Sequence, residues 1–136
     1  MSDNHKSAWL STSSTSSAPW GHEVRWHAMA GIGAKILHIN AGCRTSFKYN
    51  KHKNEVLYFQ SGHAKITYAD EQHFHDPIIA PLLTSNVGPG QLLNVQSCCP
   101  YRIEAIEDCI IVEIGDSSSA ACVRLEDDYG RVEKGT

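Results

Sequence analysis

From Pro19 onward no window of about 11 or more residues carries a helical period, while short alternating runs recur between turn residues. "EVLYFQS" puts Glu55, Leu57 and Phe59 on one face and Val56, Tyr58 and Gln60 on the other. "AKITYA" follows Gly62 as the second arm of a hairpin, and Asp70 and Glu71 mark the next turn, before "QHFH". "KILHIN", "QLLNVQ", "YRIEAI" and "DCIIVEI" complete the series. In "YRIEAI", Tyr101, Ile103 and Ala105 share one face. "DPIIAPLLTSNVGPG" is rich in Pro and Gly and reads as a loop. Short strands spaced about 8 to 12 residues apart predict an all-β chain, an antiparallel sandwich or barrel.

The 136 residues, 41% of them hydrophobic, suffice for one core. The folded domain is expected over 19–132, with a tail at 133–136. Residues 1–18, with "STSSTSSA", bury too little apolar surface to offset ordering and read as a flexible arm that Trp9 and Leu10 could dock. A net charge of -3 without a basic run gives no footprint for nucleic acid. No apolar run approaches a membrane span and no export signal is visible, so a cytoplasmic protein without a membrane partner is expected. Cys43, Cys98, Cys99, Cys109 and Cys122 lack metal-ligand spacing and form an odd set, which suits reduced thiols.

The positions Gly42, Lys48, Asn50, Glu55 and Gly62 have the spacing of the first cupin motif, whose middle positions normally hold His, His and Glu. On a strand, residues two apart point the same way, and a hairpin returns the Glu to them, so three side chains converge in a barrel. Gly90, Gln96, Cys98, Tyr101 and Ala105 reproduce the second motif's spacing with its usual residues replaced. With "PWG" at 19–21, "SFKYNKHKNE" at 46–55, "SGHAKIT" at 61–67 and "VRLEDDYGRV" at 123–132, the chain resembles the carboxy-terminal domain of type II mannose-6-phosphate isomerases. The resemblance spans 19–132 and implies a small double-stranded β-helix, a jelly-roll-like barrel, that forms a homodimer.

In those isomerases Gln, His, Glu and His hold the metal, and these fall on Lys48, Asn50, Glu55 and Tyr101, so only the Glu is kept. The Arg expected before "PWG" is Ala18, and a histidine cluster is reduced to His52. A lysine ammonium has no lone pair to offer a metal. No metal or other cofactor is therefore expected, with a divalent metal as the alternative. Lys48 is expected to take the ion's electrostatic place by pairing with Glu55, with Tyr101 and Asn50 adding hydrogen bonds. Lys48, Asn50, His52, Glu55 and Tyr101 are then the candidate ligand-binding residues, and catalytic residues are unassigned. His73 and His75 form an H-x-H on an expected strand with His63 nearby, either a displaced metal site or surface histidines. His22, His27 and His38 show no partner pattern, and no nucleophile motif occurs.

These losses favour binding over catalysis. A metal-free barrel holding a small polar molecule, such as a sugar or sugar phosphate, is expected. An active isomerase with rearranged ligands and a non-catalytic structural or regulatory module stay open.

Overall fold

The computed structural model of the protein describes residues 5–116 and 122–132. In chain order its strands are β1 (Ser14–Ala18), β2 (Gly21–Arg25), β3 (Ile32–Ile39), β4 (Phe47–Tyr49), β5 (Glu55–Ser61) and β6 (Ala64–Tyr68). There follow β7 (Leu83–Val87), β8 (Leu92–Val95), β9 (Tyr101–Ala105), β10 (Cys109–Asp116) and β11 (Val123–Glu126). They form two antiparallel sheets, one ordered β1-β2-β3-β10-β5-β8 and the other β11-β4-β9-β6-β7. Among the described residues no helix is long and apolar enough to cross a membrane.

The alternation read from the sequence sets which side chains meet. Leu37 and Ile39 of β3, Leu57 and Phe59 of β5 and Ile111 of β10 face Ile66 of β6 and Tyr101, Ile103 and Ala105 of β9, and all are buried. Burying a large aliphatic side chain contributes about 1.5–3 kcal/mol, so this one cluster holds the sheets face to face. The same phase continues into charged residues. Lys35 lies two residues before Leu37, and Glu113 two after Ile111, and the two are cross-strand neighbours. One end of the larger sheet's inner face is thus apolar and the other ionic.

Three expectations change. Ser14–Ala18, placed in the arm, pairs along its whole length with Gly21–Arg25 through a turn at Pro19 and Trp20. Its ladder is backbone to backbone, and the buried Trp20 anchors the turn, so composition alone does not reveal it. Trp9 and Leu10 are exposed and do not dock on the barrel. Leu83–Val87, placed in the Pro- and Gly-rich loop, pairs with β6 as an edge strand. "QHFH", read as a strand carrying His73 and His75 on one face, is a single 3-10 turn over Glu71–Phe74. Asp70 and Glu71 begin it, and the His73 and His75 amides donate back to the carbonyls of Asp70 and Gln72 at 3.0 Å. The tail at 133–136 lies outside the described residues.

Candidate functional site

The polar end of the barrel is built where β4, β5 and β9 come together. The β4–β5 connection is pinned to the loop before β9: the Cys98 amide donates to the Asn50 carbonyl at 2.7 Å, and the Ser97 amide donates to Asn54 Oδ1 at 2.8 Å. Asn50 is thereby aimed at Glu55, and its Nδ2 donates to Glu55 Oε1 at 3.2 Å. From β9, the Tyr101 hydroxyl donates to the same oxygen at 2.6 Å. Glu55 and Tyr101 are buried. Burial, then the nearby Glu113 carboxylate, push the Glu55 carboxyl above the usual range, while Tyr101 and Lys53 pull it back down. Burial, reinforced by the Glu113 and Glu55 charges, holds the Tyr101 phenol well above its ordinary value, so it stays protonated and donates.

The expected Lys48–Glu55 ion pair is not formed. Lys53, from the connection just before β5, takes Glu55 instead: its Nζ lies 3.3 Å from Glu55 Oε2 and 3.4 Å from Glu113 Oε2. Burial opposes the Lys53 charge, but Glu113 and Glu55 outweigh it and raise its pKa. The charges then continue across the sheet. Lys35 Nζ is 4.0 Å from Glu113 Oε2 and 2.9 Å from Glu23 Oε2, and Arg25 lies 3.6 Å from Glu23. Burial works against the Glu23 carboxylate, yet Lys35 beside it keeps its pKa low.

Lys48 turns elsewhere because register decides its neighbours. On β4 it sits directly opposite Tyr101 of β9 on one side and Arg124 of β11 on the other. Its ammonium lies 6.0 Å from the Tyr101 ring centroid, on the wall of a cavity of about 140 Å³ between the sheets. Trp20, Glu23, Lys35, Arg124 and Arg131 are among the other residues lining it. Of the five candidate residues, Asn50, Glu55 and Tyr101 therefore converge by hydrogen bonds, while Lys48 meets the Tyr101 ring and acts on Glu55 through its charge alone. His52 is exposed on the connection and stands apart from them.

Sequence reasoning missed Lys53, Glu113, Lys35, Glu23 and Arg124. Glu113 and Lys35 had a visible signal, a charged residue in phase with buried apolar ones. Lys53 had none, because it lies outside any periodic segment. The terminal "RLEDDYGR" is tied together by its own side chains: Arg131 grips Asp127 through two hydrogen bonds, at 2.9 and 3.0 Å, and Asp128 takes Arg44.

The histidines do not gather. His63 Nδ1 lies 3.0 Å from a Glu107 carboxylate oxygen, His73 Nδ1 donates to the Ala80 carbonyl at 2.7 Å, and His75 is exposed. His22 and His38 stack across strands with ring centroids 4.2 Å apart, and His27 contacts Ser14. Among the described residues no group of three or more His, Cys, Asp or Glu could hold a metal ion.

No family model and no curated protein matches the chain. Solved structures do. The formate complex of the Lactobacillus farciminis oxalate decarboxylase aligns with a TM-score of 0.71 at 14% identity, covering 89% of this chain and 38% of that one. A tryptophan-to-tyrosine variant of the Bacillus subtilis oxalate decarboxylase aligns with a TM-score of 0.66 at 18% identity, covering 80% of this chain and 28% of that one. A further structure of the Bacillus subtilis enzyme, described by its Mn(II) centres, aligns with a TM-score of 0.70. The fold is that of a cupin. At these identities the likeness is one of fold, and the chain spans under two-fifths of the decarboxylase chains.

In this fold the four positions Lys48, Asn50, Glu55 and Tyr101 do not suit a divalent cation. Both Glu55 oxygens are taken up by protein donors, Oε1 by Tyr101 and Asn50 and Oε2 by Lys53. Tyr101 is a protonated donor and Lys48 a cation, so two of the four positions offer no lone pair to a metal in these states.

The Tyr101 hydroxyl is a member of this network whose loss is readily measured. Tyr101→Phe keeps the ring packing and leaves Oε1 with Asn50 alone, so unfolding in urea is expected to show a loss of about 1–3 kcal/mol. A loss below about 0.5 kcal/mol would mean that water replaces the phenol without cost.

Proposed function

We propose that this chain is a metal-free cupin-domain protein, related to the type II mannose-6-phosphate isomerases, that binds a small polar ligand such as a sugar or sugar phosphate in its barrel. The observation that carries this reading is the cavity beside Tyr101, whose wall is polar and cationic through Lys48, Lys35 and Arg124. The occupied Glu55 supports the metal-free part. An isomerase with rearranged metal ligands is the second reading, favoured by the Mn(II) centres named for one structure of like fold.

Two measurements separate them. Protein purified without a histidine tag or added metal is expected to carry no stoichiometric manganese, zinc or iron, and one such ion per chain would overturn the metal-free reading. In a thermal-shift series with mannose 6-phosphate, fructose 6-phosphate and nucleotide sugars, a ligand at about ten times its Kd adds about 1.4 kcal/mol to stability. For a domain of this size that is a rise in Tm of about 5 °C. Absence of any shift across the series would leave the chain a structural or regulatory module.

A further inference from the structure

We infer that Lys48 and Arg124 form a binding site for a single oxyanion, the phosphate or carboxylate group of a small metabolite, in the cavity between the sheets. The two cations are directly opposite on the antiparallel pair β4 and β11, so their side chains leave the same face and both line the cavity. Like charges directly opposite in a sheet repel and are destabilising. The carboxylates of Glu23 and Glu55 feel the Lys48 charge, but at longer range than a salt bridge, so they offset this repulsion only in part. Glu23 is engaged by Lys35 at 2.9 Å and Arg25 at 3.6 Å, and Arg131 is held by Asp127. Among the described residues no carboxylate lies within salt-bridge distance of either Lys48 or Arg124.

A second observation concerns Arg124 itself. Its Nε is buried and has no hydrogen-bond partner. Leaving a buried donor unsatisfied costs about 1–3 kcal/mol, more when it belongs to a charged group. An oxyanion between the two side chains would satisfy Nε, cancel the repulsion and accept charge-assisted hydrogen bonds from both. The cavity, of about 140 Å³ and partly open to solvent, has room for an oxyanion, and the rest of a larger ligand would extend outward from it.

This site deepens the sugar-phosphate reading, and the experiment keeps the two separable. Inorganic phosphate and oxalate are titrated by thermal shift in low-salt buffer, with sodium chloride at matched ionic strength as the control, on the wild type, Lys48→Met and Arg124→Gln. Phosphate or oxalate is expected to raise Tm saturably above the chloride control, and the stronger of the two identifies the head group. Either substitution is expected to weaken that binding by about tenfold or more. In chloride buffer without oxyanions Lys48→Met is expected to melt near or above the wild-type temperature, because relief of the repulsion with Arg124 offsets the lost attraction to Glu23 and Glu55. A chloride response equal to that of both oxyanions, or undiminished oxyanion binding in both variants, would overturn the site. A sugar-phosphate shift that survives both substitutions would overturn it while sparing the reading above. An oxyanion shift lost in the variants, without any response to sugar phosphates, would support the site and sink that reading.

Discussion

Lys53→Met is expected to lower the unfolding free energy by about 3 kcal/mol near neutral pH, the low end of the range for removing one partner of a buried ion pair. The magnitude follows from what the lysine leaves behind. Glu55 and Glu113 are both buried, each within 3.4 Å of the same ammonium, and their mutual repulsion is already among the causes that raise the Glu55 pKa. Lys35 at 4.0 Å still answers Glu113, and Tyr101 and Asn50 still bond Glu55, which keeps the loss from being larger. The pH dependence has a definite sign. Because the folded-state pKa of Glu55 is raised, the native state binds a proton more readily than the unfolded chain does. Its contribution is fully present below the ordinary carboxylate pKa and is lost as pH rises through the raised value. Without Lys53 that raised value moves further up, so the deficit of the variant is smaller at a mildly acidic pH than at neutral pH, as Glu55 takes up its proton. Urea unfolding of wild type and variant at the two pH values reads this directly, and a deficit that is constant with pH would show that Glu55 is not the group left uncompensated. A Met at this position also separates charge from bulk, since it retains the apolar stem of the lysine.

The strands that position this cluster were legible wherever burial imposed a period of two. β5, β6, β9 and β10 all fall where alternation places them, and Glu55 and Tyr101 come together as the spacing implies. What the spacing did not carry was which cation answers Glu55. Lys48 lies within β4 and Lys53 in the connection that follows it, and that connection has no period. Its course is set instead by the hydrogen bonds from Cys98 and Ser97 to Asn50 and Asn54, which join residues more than forty positions apart. Tertiary contacts also decided the strand over Ser14–Ala18, whose side chains are largely exposed and give no pattern. The edge strand Leu83–Val87 was hidden in the same way, by a composition suited to a loop and a ladder supplied by β6. Lys35 and Glu113 were readable in principle, as charges in phase with Leu37 and Ile111, but an isolated charged residue on an apolar face becomes a site only when its partners on other strands are known. The cavity beside Lys48 depends on the register of β4 against β11, which no local pattern encodes.

The glycines that frame the two motifs are expected to differ sharply when each is replaced by alanine, although all three share a left-handed backbone. Gly42, Gly62 and Gly90 have φ of +83°, +84° and +91°. A side chain in this region costs about 1–2 kcal/mol, and at Gly42 and Gly90 that is the whole expected effect, since an added Cβ meets nothing within 4 Å. Gly62 adds a collision: its Cβ would lie 2.2 Å from the Asp108 carbonyl oxygen and 2.9 Å from both Cα and Sγ of Cys109. Two of these atoms are backbone, so relief requires the β5–β6 turn to move away from the start of β10. The turn is tied there by the His63 carbonyl, which accepts from the Ile106 amide at 2.9 Å and the Glu107 amide at 3.2 Å. Asp108 in turn accepts the Ala41 amide at 2.8 Å, so displacing it also loosens the turn around Gly42. Gly62→Ala is therefore expected to cost about 3 kcal/mol or more, against about 1–2 for Gly42→Ala and Gly90→Ala, measured as urea midpoints at equal m-values. A Gly62→Ala variant within about 0.5 kcal/mol of Gly42→Ala would mean that the close approach of the β5–β6 turn to β10 relaxes freely. The glycine frame of the motif would then answer to backbone conformation alone.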